Sequence, residues 1–309
     1  MRAISYSEFG DEHVLRYRTD FPDPVPGEGE LLVRVKAAGV NPVDWKVTAG
    51  YVKGHLDIRM PVIPGWDVAG VVEALGPGAE GFAVGDGIFA YDRTPVVQQG
   101  TYAELTVVPA SYAAPRPEKG TWAQAGGLPL VGLTALKSLE AIGGVGPDDT
   151  VLIHAAAGGV GSTAVQIAKA RGARVIGTAS VHNHEFVRNL GAEPVGYGAD
   201  LVRNVREAAP EGVTAAADYV GGEEALDASF VLVDDPGRVV STTMPQAAQR
   251  GGKHIFIEPD AAALRELARL VDEGSLICHV DRELALDKAA KAYRESMEGH
   301  IRGKIVLVP

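Results

Sequence analysis

Residues 150–161 read TVLIHAAAGGVG, and residues 174–180 read RVIGTAS. The run from Thr150 to His154 is rich in β-branched and apolar side chains, which predicts a strand buried in a parallel sheet. The glycines after it predict a tight turn. Behind the turn, apolar residues recur at helical spacing, and Gly172 stands where a helix would end. The order strand, glycine turn, helix and second strand decides the fold of this region.

The glycine turn has the form of a unit that binds the pyrophosphate of a dinucleotide. In that unit the glycines permit a tight turn, close approach of the phosphates and close helix packing. The helix N-terminus adds free N–H groups and a favourable dipole. We therefore expect the pyrophosphate of a dinucleotide at this turn. A turn that is glycine-rich for structural reasons alone is the alternative.

The end of the second strand bears on the choice of cofactor. Sites for NAD normally place Asp or Glu there to bind the ribose 2′-hydroxyl. This chain instead has Ser180, followed by His182, Asn183 and His184. A carboxylate would repel the 2′-phosphate of NADP(H), whereas hydroxyl, amide and imidazole groups can hydrogen-bond to it. NADP(H) is the expected cofactor, and a solvated helix cap is the alternative role of the triplet.

Two kinds of pattern divide the chain. Short strands interrupted by Gly and Pro fill roughly the first 120 residues. Strands alternating with helical patterns follow, which favours a parallel, doubly wound sheet. After Pro259 the pattern is helix, strand, helix and strand, compatible with a return to the first domain. The strands predicted for the central region are 150–154, 173–178, 214–220, 237–241 and 253–257.

Composition excludes several classes of protein. The 309 residues carry a net charge of −11 without a basic cluster, which argues against a nucleic-acid partner. No apolar run is long enough to span a bilayer, and the first residues lack the apolar core of a signal peptide. The single cysteine, Cys278, excludes an internal disulfide and a four-cysteine zinc site. A cytoplasmic protein is expected.

Seven short motifs follow one another along nearly the whole chain. They are AGVNPVD at 38–44, PGWDVAG at 64–70, GD at 85–86, GTYAE at 100–104, GLTA at 132–135, AGGVG at 157–161 and RGKIV at 302–306. In this order they resemble the medium-chain dehydrogenase/reductase superfamily, and specifically its zinc-free quinone oxidoreductase branch. The resemblance implies an α/β protein with a β-rich, GroES-like catalytic domain and a Rossmann domain built on a doubly wound parallel sheet. The expected division is 1–122 and 263–309 for the catalytic domain and 123–262 for the NADP(H)-binding domain.

The resemblance also bears on metal chemistry. Zinc alcohol dehydrogenases of that superfamily carry a Cys after the Gly-Val of the first motif and a His-Glu pair after the glycine of the second. This chain has Asn41 and Trp66-Asp67 at those places, and it lacks the loop that carries the structural zinc cysteines. Zinc activates a bound oxygen only when several protein ligands hold it. We expect no metal.

Site residues are implied by the same resemblance. Asn41, Asp44 and Tyr51 are the catalytic candidates. The amide of Asn41 is expected near the nicotinamide and the substrate, where it donates to the developing enolate or quinol oxygen. The alternatives are an Asx-turn for Asn41, loop ordering for Asp44 and packing for Tyr51. The expected cofactor-binding residues are Thr134, Gly158, Gly159, Val160, Ser180, Asn183, His184, Tyr197, Val220, Gly221, Phe256, Ile257 and Lys304.

Three functions remain open at this point. The first is NADPH-dependent reduction of a quinone, and the second is reduction of an activated carbon–carbon double bond in an enone or enoyl thioester. Both acceptors take hydride without a metal because the incoming charge delocalises onto oxygen. The third is a non-catalytic NADPH-binding sensor or partner subunit, since a fold does not fix a function. The resemblance further implies a homodimer joined through the edge strand predicted at 253–257.

Overall fold

The structure is a computed structural model that describes residues 1–309. The chain divides into two compact units. Unit 1 comprises 1–130, 258–273 and 278–309, and unit 2 comprises 131–257 and 274–277. The first boundary falls after Leu130 rather than after residue 122, because the short helix between these positions packs on the β-rich unit. The units are described separately below.

The secondary-structure elements are numbered in chain order. The strands are β1 Ala3–Ser5, β2 Arg16–Arg18, β3 Glu30–Val40, β4 Asp57–Ile58, β5 Asp67–Leu75, β6 Gly87–Tyr91, β7 Val96–Val97, β8 Leu105–Pro109, β9 Ala113–Pro115, β10 Thr150–Ile153, β11 Arg174–Thr178, β12 Glu193–Val195, β13 Ala215–Asp218, β14 Val239–Ser241, β15 Lys253–His254, β16 Val280–Ala285 and β17 Lys304–Val308. The α-helices are α1 Pro42–Thr48, α2 Trp122–Gly127, α3 Pro129–Ala141, α4 Gly159–Ala170, α5 His184–Asn189, α6 Leu201–Ala208, α7 Glu223–Leu232, α8 Gln246–Gln249, α9 Ala261–Asp272 and α10 Ala289–Glu298.

Unit 1 is built on a seven-stranded sheet. Its order is β16-β17-β3-β5-β6-β9, with β8 also paired to β3. The long strand β3 alternates buried and partly exposed residues, as expected of a strand with one face on a core. Helix α2 packs so closely on this sheet that a Cβ at Gly126 would lie only 2.6 Å from the carbonyl oxygen of Ala37. The tail does return to unit 1, since β17 pairs antiparallel with β3.

Unit 2 is built on a six-stranded parallel sheet. Its order is β12-β11-β10-β13-β14-β15, and every recorded pair in it is parallel. The chain starts at the central strand β10, builds outward to β12, and then crosses to the other side at β13. Leu152, Ile176, Val205 and Val239 lie in its core cluster. The predicted α/β fold, a GroES-like domain with a Rossmann-type parallel sheet, is confirmed.

One predicted strand is much shorter than expected. The pattern predicts a strand over 253–257, but β15 covers only Lys253 and His254. Its neighbour β14 has three residues and offers only Val240 and Ser241 as partners. Phe256 and Ile257 therefore lie beyond the strand rather than on it. The N-terminal segment forms the short β1–β2 pair, and no helix of the structure is long and apolar enough to cross a membrane.

Candidate functional site

The glycine turn joins β10 to α4 through a strained residue. Ala155 has φ 54°, the only positive φ outside glycine. Its backbone N–H donates to Thr178 Oγ1 at 3.2 Å, so the end of β11 holds the turn in place. A Cβ at Gly161 would lie 2.1 Å from the carbonyl oxygen of Ala155. Glycine is thus required at Gly161 by the turn itself.

Gly158, unlike Gly161, has room in the protein for a side-chain Cβ. It is the N-cap of α4, with φ −77° and ψ 175°, a conformation open to any residue. A Cβ there would have the carbonyl oxygen of Ala155 as its nearest neighbour, at an ordinary 3.4 Å. The protein's own packing therefore does not demand glycine at Gly158. The first N–H groups of α4 lack intrahelical partners, and this arrangement fits a pyrophosphate.

The residues after β11 form one polar cluster. Ser180 Oγ lies 3.1 Å from His182 Nδ1, and Asn183 Nδ2 donates to the same hydroxyl at 3.4 Å. His184 turns back, with Nε2 3.2 Å from the carbonyl oxygen of Ala179. The structure thus brings Ser180 and Asn183 together and adds the exposed His182 to them, while His184 is tied to the backbone. No carboxylate belongs to the cluster.

Several other predicted cofactor residues share one edge of the parallel sheet. Tyr197, Val220 and Phe256 each follow the carboxyl end of a strand, and each is exposed (65%, 58% and 61%). Ligands of open parallel sheets bind at that edge. Gly221 adopts φ +82° there. Ile257 follows Phe256, and Thr134 is buried in α3.

Two buried networks at this edge escaped the sequence analysis. Asp218 Oδ1 accepts hydrogen bonds from the backbone N–H groups of Val220 (3.0 Å) and Gly221 (2.9 Å), and its Oδ2 accepts one from Ser241. His154 lies between Ser229 Oγ (3.1 Å) and Thr178 Oγ1 (3.4 Å). Burial lowers the pKa of His154 to about 4, so this imidazole is neutral near pH 7. Both networks order the loops that leave β10, β11 and β13.

Asn41 is the hub of a polar centre inside unit 1. It is the N-cap of α1 and is almost fully buried. Its side-chain Nδ2 donates to Asp67 Oδ2 at 2.9 Å, and its Oδ1 accepts from Lys304 Nζ at 2.5 Å. Lys304 also donates to the carbonyl oxygen of Val40 at 2.7 Å. The hub therefore joins α1, β5 and β17.

Asp67 links this hub to a helix. Its Oδ1 accepts from the backbone N–H of Leu130 at 2.8 Å, and its Oδ2 lies 3.8 Å from Lys304 Nζ. Burial raises the pKa of Asp67 to about 7, while Lys304, Asn41 and the Leu130 N–H each act to lower it. Sequence reasoning placed Asp67 only as the residue that replaces a zinc-site glutamate. Nothing local in the sequence points to its partners.

Asp44 occupies a second buried position below the hub. Its Oδ2 accepts from the backbone N–H of Asn41 (2.8 Å) and from the hydroxyl of Tyr102 (2.7 Å). Burial raises its pKa to about 6. Thr48 donates to the carbonyl oxygen of Asp44, and Tyr293 lies 3.3 Å from that threonine hydroxyl. Asp44 thus ties the start of α1 to Tyr102.

Tyr51 lies outside this network. It follows α1, is 72% exposed, and packs edge-to-face on Trp45 with ring centroids 6.2 Å apart. Lys46 Nζ lies 5.4 Å from the centroid of the same tryptophan. The arrangement is an exposed aromatic surface. It suits stacking on a flat molecule better than buried proton transfer.

Comparison with known proteins shows which family this chain belongs to. Residues 27–118 match the alcohol dehydrogenase GroES-like domain, and residues 190–307 match the zinc-binding dehydrogenase domain. The chain is 31% identical to the chloroplast envelope quinone oxidoreductase homolog of Arabidopsis thaliana, covering 100% of this chain and 98% of that protein. This chain belongs to the medium-chain dehydrogenase/reductase superfamily.

Two further members of the superfamily resemble this chain closely. The NADPH-dependent alkenal/one oxidoreductase of Arabidopsis thaliana is 31% identical to this chain. The match covers 100% of this chain and 80% of that protein. The quinone oxidoreductase structure from Coxiella burnetii has a TM-score of 0.88 at 32% identity, with 100% of this chain and 99% of that chain covered.

One matched domain is described as zinc-binding, and the residues at the expected zinc positions, Asn41, Trp66 and Asp67, lie in unit 1. An ammonium group, that of Lys304, already contacts the oxygens of Val40 and Asn41 and faces Asp67. A divalent cation among the same oxygens would lie against this positive charge. The remaining group at the expected positions is the indole of Trp66, which is not a zinc ligand. These residues do not fit a zinc ion.

Proposed function

We propose that this protein is a zinc-independent, NADPH-dependent oxidoreductase that transfers a hydride to a quinone. The observation that carries the proposal is the Asn41–Lys304 pair, a buried source of N–H donors and positive charge. A quinone needs no more than this, because the incoming charge delocalises onto an oxygen that such donors stabilise. The named activities of its relatives support the same reading.

The open glycine turn supports the choice of a dinucleotide cofactor. Bound NADPH would supply the hydride, and the protein would supply binding, orientation and a dry site. Gly158 and the first turn of α4 would hold the pyrophosphate. Ser180, His182 and Asn183 would hold the 2′-phosphate, since they offer hydrogen-bond donors and no carboxylate. NADP(H) is therefore proposed over NAD(H).

The test is the oxidation of NADPH and NADH, followed by absorbance, with quinones in one panel of acceptors and conjugated enones in another. Turnover with quinones and NADPH supports the proposal. Each reduction consumes one hydride from the cofactor and one proton from solvent, and yields the quinol. Absence of turnover with every quinone, while enones react, would overturn it.

The second candidate is reduction of an activated carbon–carbon double bond. It is favoured by the similarity to an NADPH-dependent alkenal/one oxidoreductase, and it uses the same hydride geometry. An enoyl thioester is the less favoured substrate, because a net charge of −11 offers no basic rim for an acidic carrier. NADPH binding without turnover on either panel would instead support the third function, a non-catalytic binding protein.

Assembly and location are part of the proposal. We place the protein in the cytoplasm, because its single cysteine is free and buried and no nucleic-acid or membrane partner is indicated. The exposed edge strand β15 supports a homodimer joined at this edge. Because β15 offers only Lys253 and His254, residues next to this strand would also have to form part of the dimer interface. Light scattering that gives a monomeric mass at micromolar concentration would exclude the dimer.

A further inference from the structure

The orientation of the Asn41 amide is decided by the chemistry of its two neighbours. An asparagine side chain has an accepting oxygen and a donating nitrogen of nearly the same shape, so its orientation follows from its partners. Lys304 can only donate, and it therefore requires Oδ1 of Asn41 on its side. An ionised Asp67 can only accept, and it requires Nδ2 on the other side.

We propose that Asp67 and Lys304 are positioning residues, which together select one orientation of the Asn41 amide and thereby present its second Nδ2 hydrogen to the acceptor oxygen of the substrate. Asn41 Nδ2 carries two hydrogens, and Asp67 accepts one of them. The other serves the ligand. This inference rests on the proposed function, since the oxygen it serves is that of the reduced quinone or enone.

The ion pair is anchored at both ends, as a positioning device requires. Lys304 is held by the carbonyl oxygen of Val40, at the end of β3. Asp67 is held by the N–H of Leu130, at the start of α3. Both side chains are buried, with exposures of 4% and 0%. Neither group can therefore turn to water, and each donor or acceptor that faces Asn41 is fixed.

Protonation of Asp67 would weaken the selection. A protonated carboxyl group carries a donor and no longer requires Nδ2 on its side, so Lys304 alone would then fix the amide. The pKa of Asp67 is raised to about 7 by burial. The titratable groups that act on Asp67 or feel its charge are Asp44, Tyr91, Tyr102, Cys278 and Lys304. Of these, only Asp44 has a raised pKa in the neutral range, at about 6.

The test compares Asp67→Asn and Lys304→Met with a matched control, Asp92→Asn. Asp92 is equally buried in unit 1, and neither of its carboxylate oxygens has a hydrogen-bond partner, so the control makes the same chemical change outside the hub. Losing a hydrogen bond to a charged group should lower kcat by about tenfold or more in both hub variants. The dissociation constant for NADPH should be unchanged in Asp67→Asn and Asp92→Asn.

The pH profile separates positioning from a merely structural role. Wild-type kcat should rise as pH rises through about 7, where Asp67 ionises, and Asp67→Asn should lose this limb. Lys304→Arg should retain more activity than Lys304→Met, because it keeps the donor and the charge. An Asp67→Asn variant that keeps both kcat and the limb would overturn the proposal. An equal loss in Asp92→Asn would do so as well.

A measurement that does not depend on turnover tests this inference separately from the proposed function. The side-chain amide NMR signals of Asn41, assigned by their loss in Asn41→Asp, should shift with a midpoint near pH 7 in the wild type and not in Asp67→Asn. If neither acceptor panel is reduced but this titration is present, the proposed function fails and the selected orientation stands. If quinones are reduced but the signals do not titrate, the inference fails alone.

Discussion

Thr178 Oγ1 lies 3.2 Å from the backbone nitrogen of Ala155, the one non-glycine residue with positive φ. The same hydroxyl lies 3.4 Å from His154 Nδ1. One hydroxyl thus fixes both the strained turn and the imidazole behind it. The geometry of the glycine turn depends on this side chain.

Thr178→Val should weaken NADPH binding as well as the fold. The change leaves the Ala155 N–H without its partner, which should cost about 1–3 kcal/mol of unfolding free energy. It should also raise the dissociation constant for NADPH several-fold, because the turn is no longer held. Thr106→Val is the control: it removes a buried hydroxyl that donates to the carbonyl oxygen of Gly100 in unit 1. Equal binding losses in both variants, measured by fluorescence titration, would contradict a specific role for Thr178.

Gly158→Ala and Gly161→Ala should fail in different ways. The Cβ at position 158 fits the protein, so the variant should keep its thermal stability and lose NADPH affinity by about tenfold or more, as the methyl group blocks the phosphates. The Cβ at position 161 would collide with the carbonyl oxygen of Ala155, so that variant should unfold at lower temperature. Calorimetry and titration on both variants distinguish the outcomes. Unchanged NADPH affinity in Gly158→Ala would remove the pyrophosphate from this turn.

Ser180→Asp should move cofactor preference from NADPH towards NADH. A carboxylate beside the 2′-phosphate repels it, and the same group can bind a ribose 2′-hydroxyl. Ser180→Asn has a similar size without the charge and serves as the control. The measurement is the ratio of the NADPH and NADH dissociation constants. A ratio that moves equally in both variants would show that size, not charge, matters at Ser180.

Asp67 should make stability depend on pH in a direction opposite to that of a carboxylate whose pKa is lowered by folding. Its pKa is raised to about 7 in the folded protein, against about 4 in an unfolded chain. The folded state therefore binds more protons in this window, and stability falls as pH rises from about 4 to about 7. Asp67→Asn removes this contribution. Denaturant unfolding across the window should show the wild type losing stability relative to the variant, and a constant difference would argue against the raised pKa.

Local patterns were enough to predict the architecture but not its polar connections. The strand from Thr150, the turn at Gly158 and the helix that ends before Gly172 follow from neighbouring residues. The strand predicted over 253–257 was too long, because its length is set by its pairing with the three-residue β14, and no local pattern reveals that pairing. Asn41 was singled out by resemblance. Its partners lie 26 residues away at Asp67 and 263 residues away at Lys304, and only the folded chain brings them together.

The position of β17 in its sheet has a consequence for synthesis. This strand lies between β16 and β3, so the seven-stranded sheet cannot close until residues 304–308 have left the ribosome. The parallel sheet of unit 2 needs nothing beyond His254, and all its strands emerge earlier. We therefore expect unit 2 to fold first on the nascent chain, while β3 still exposes the edge that β17 later covers.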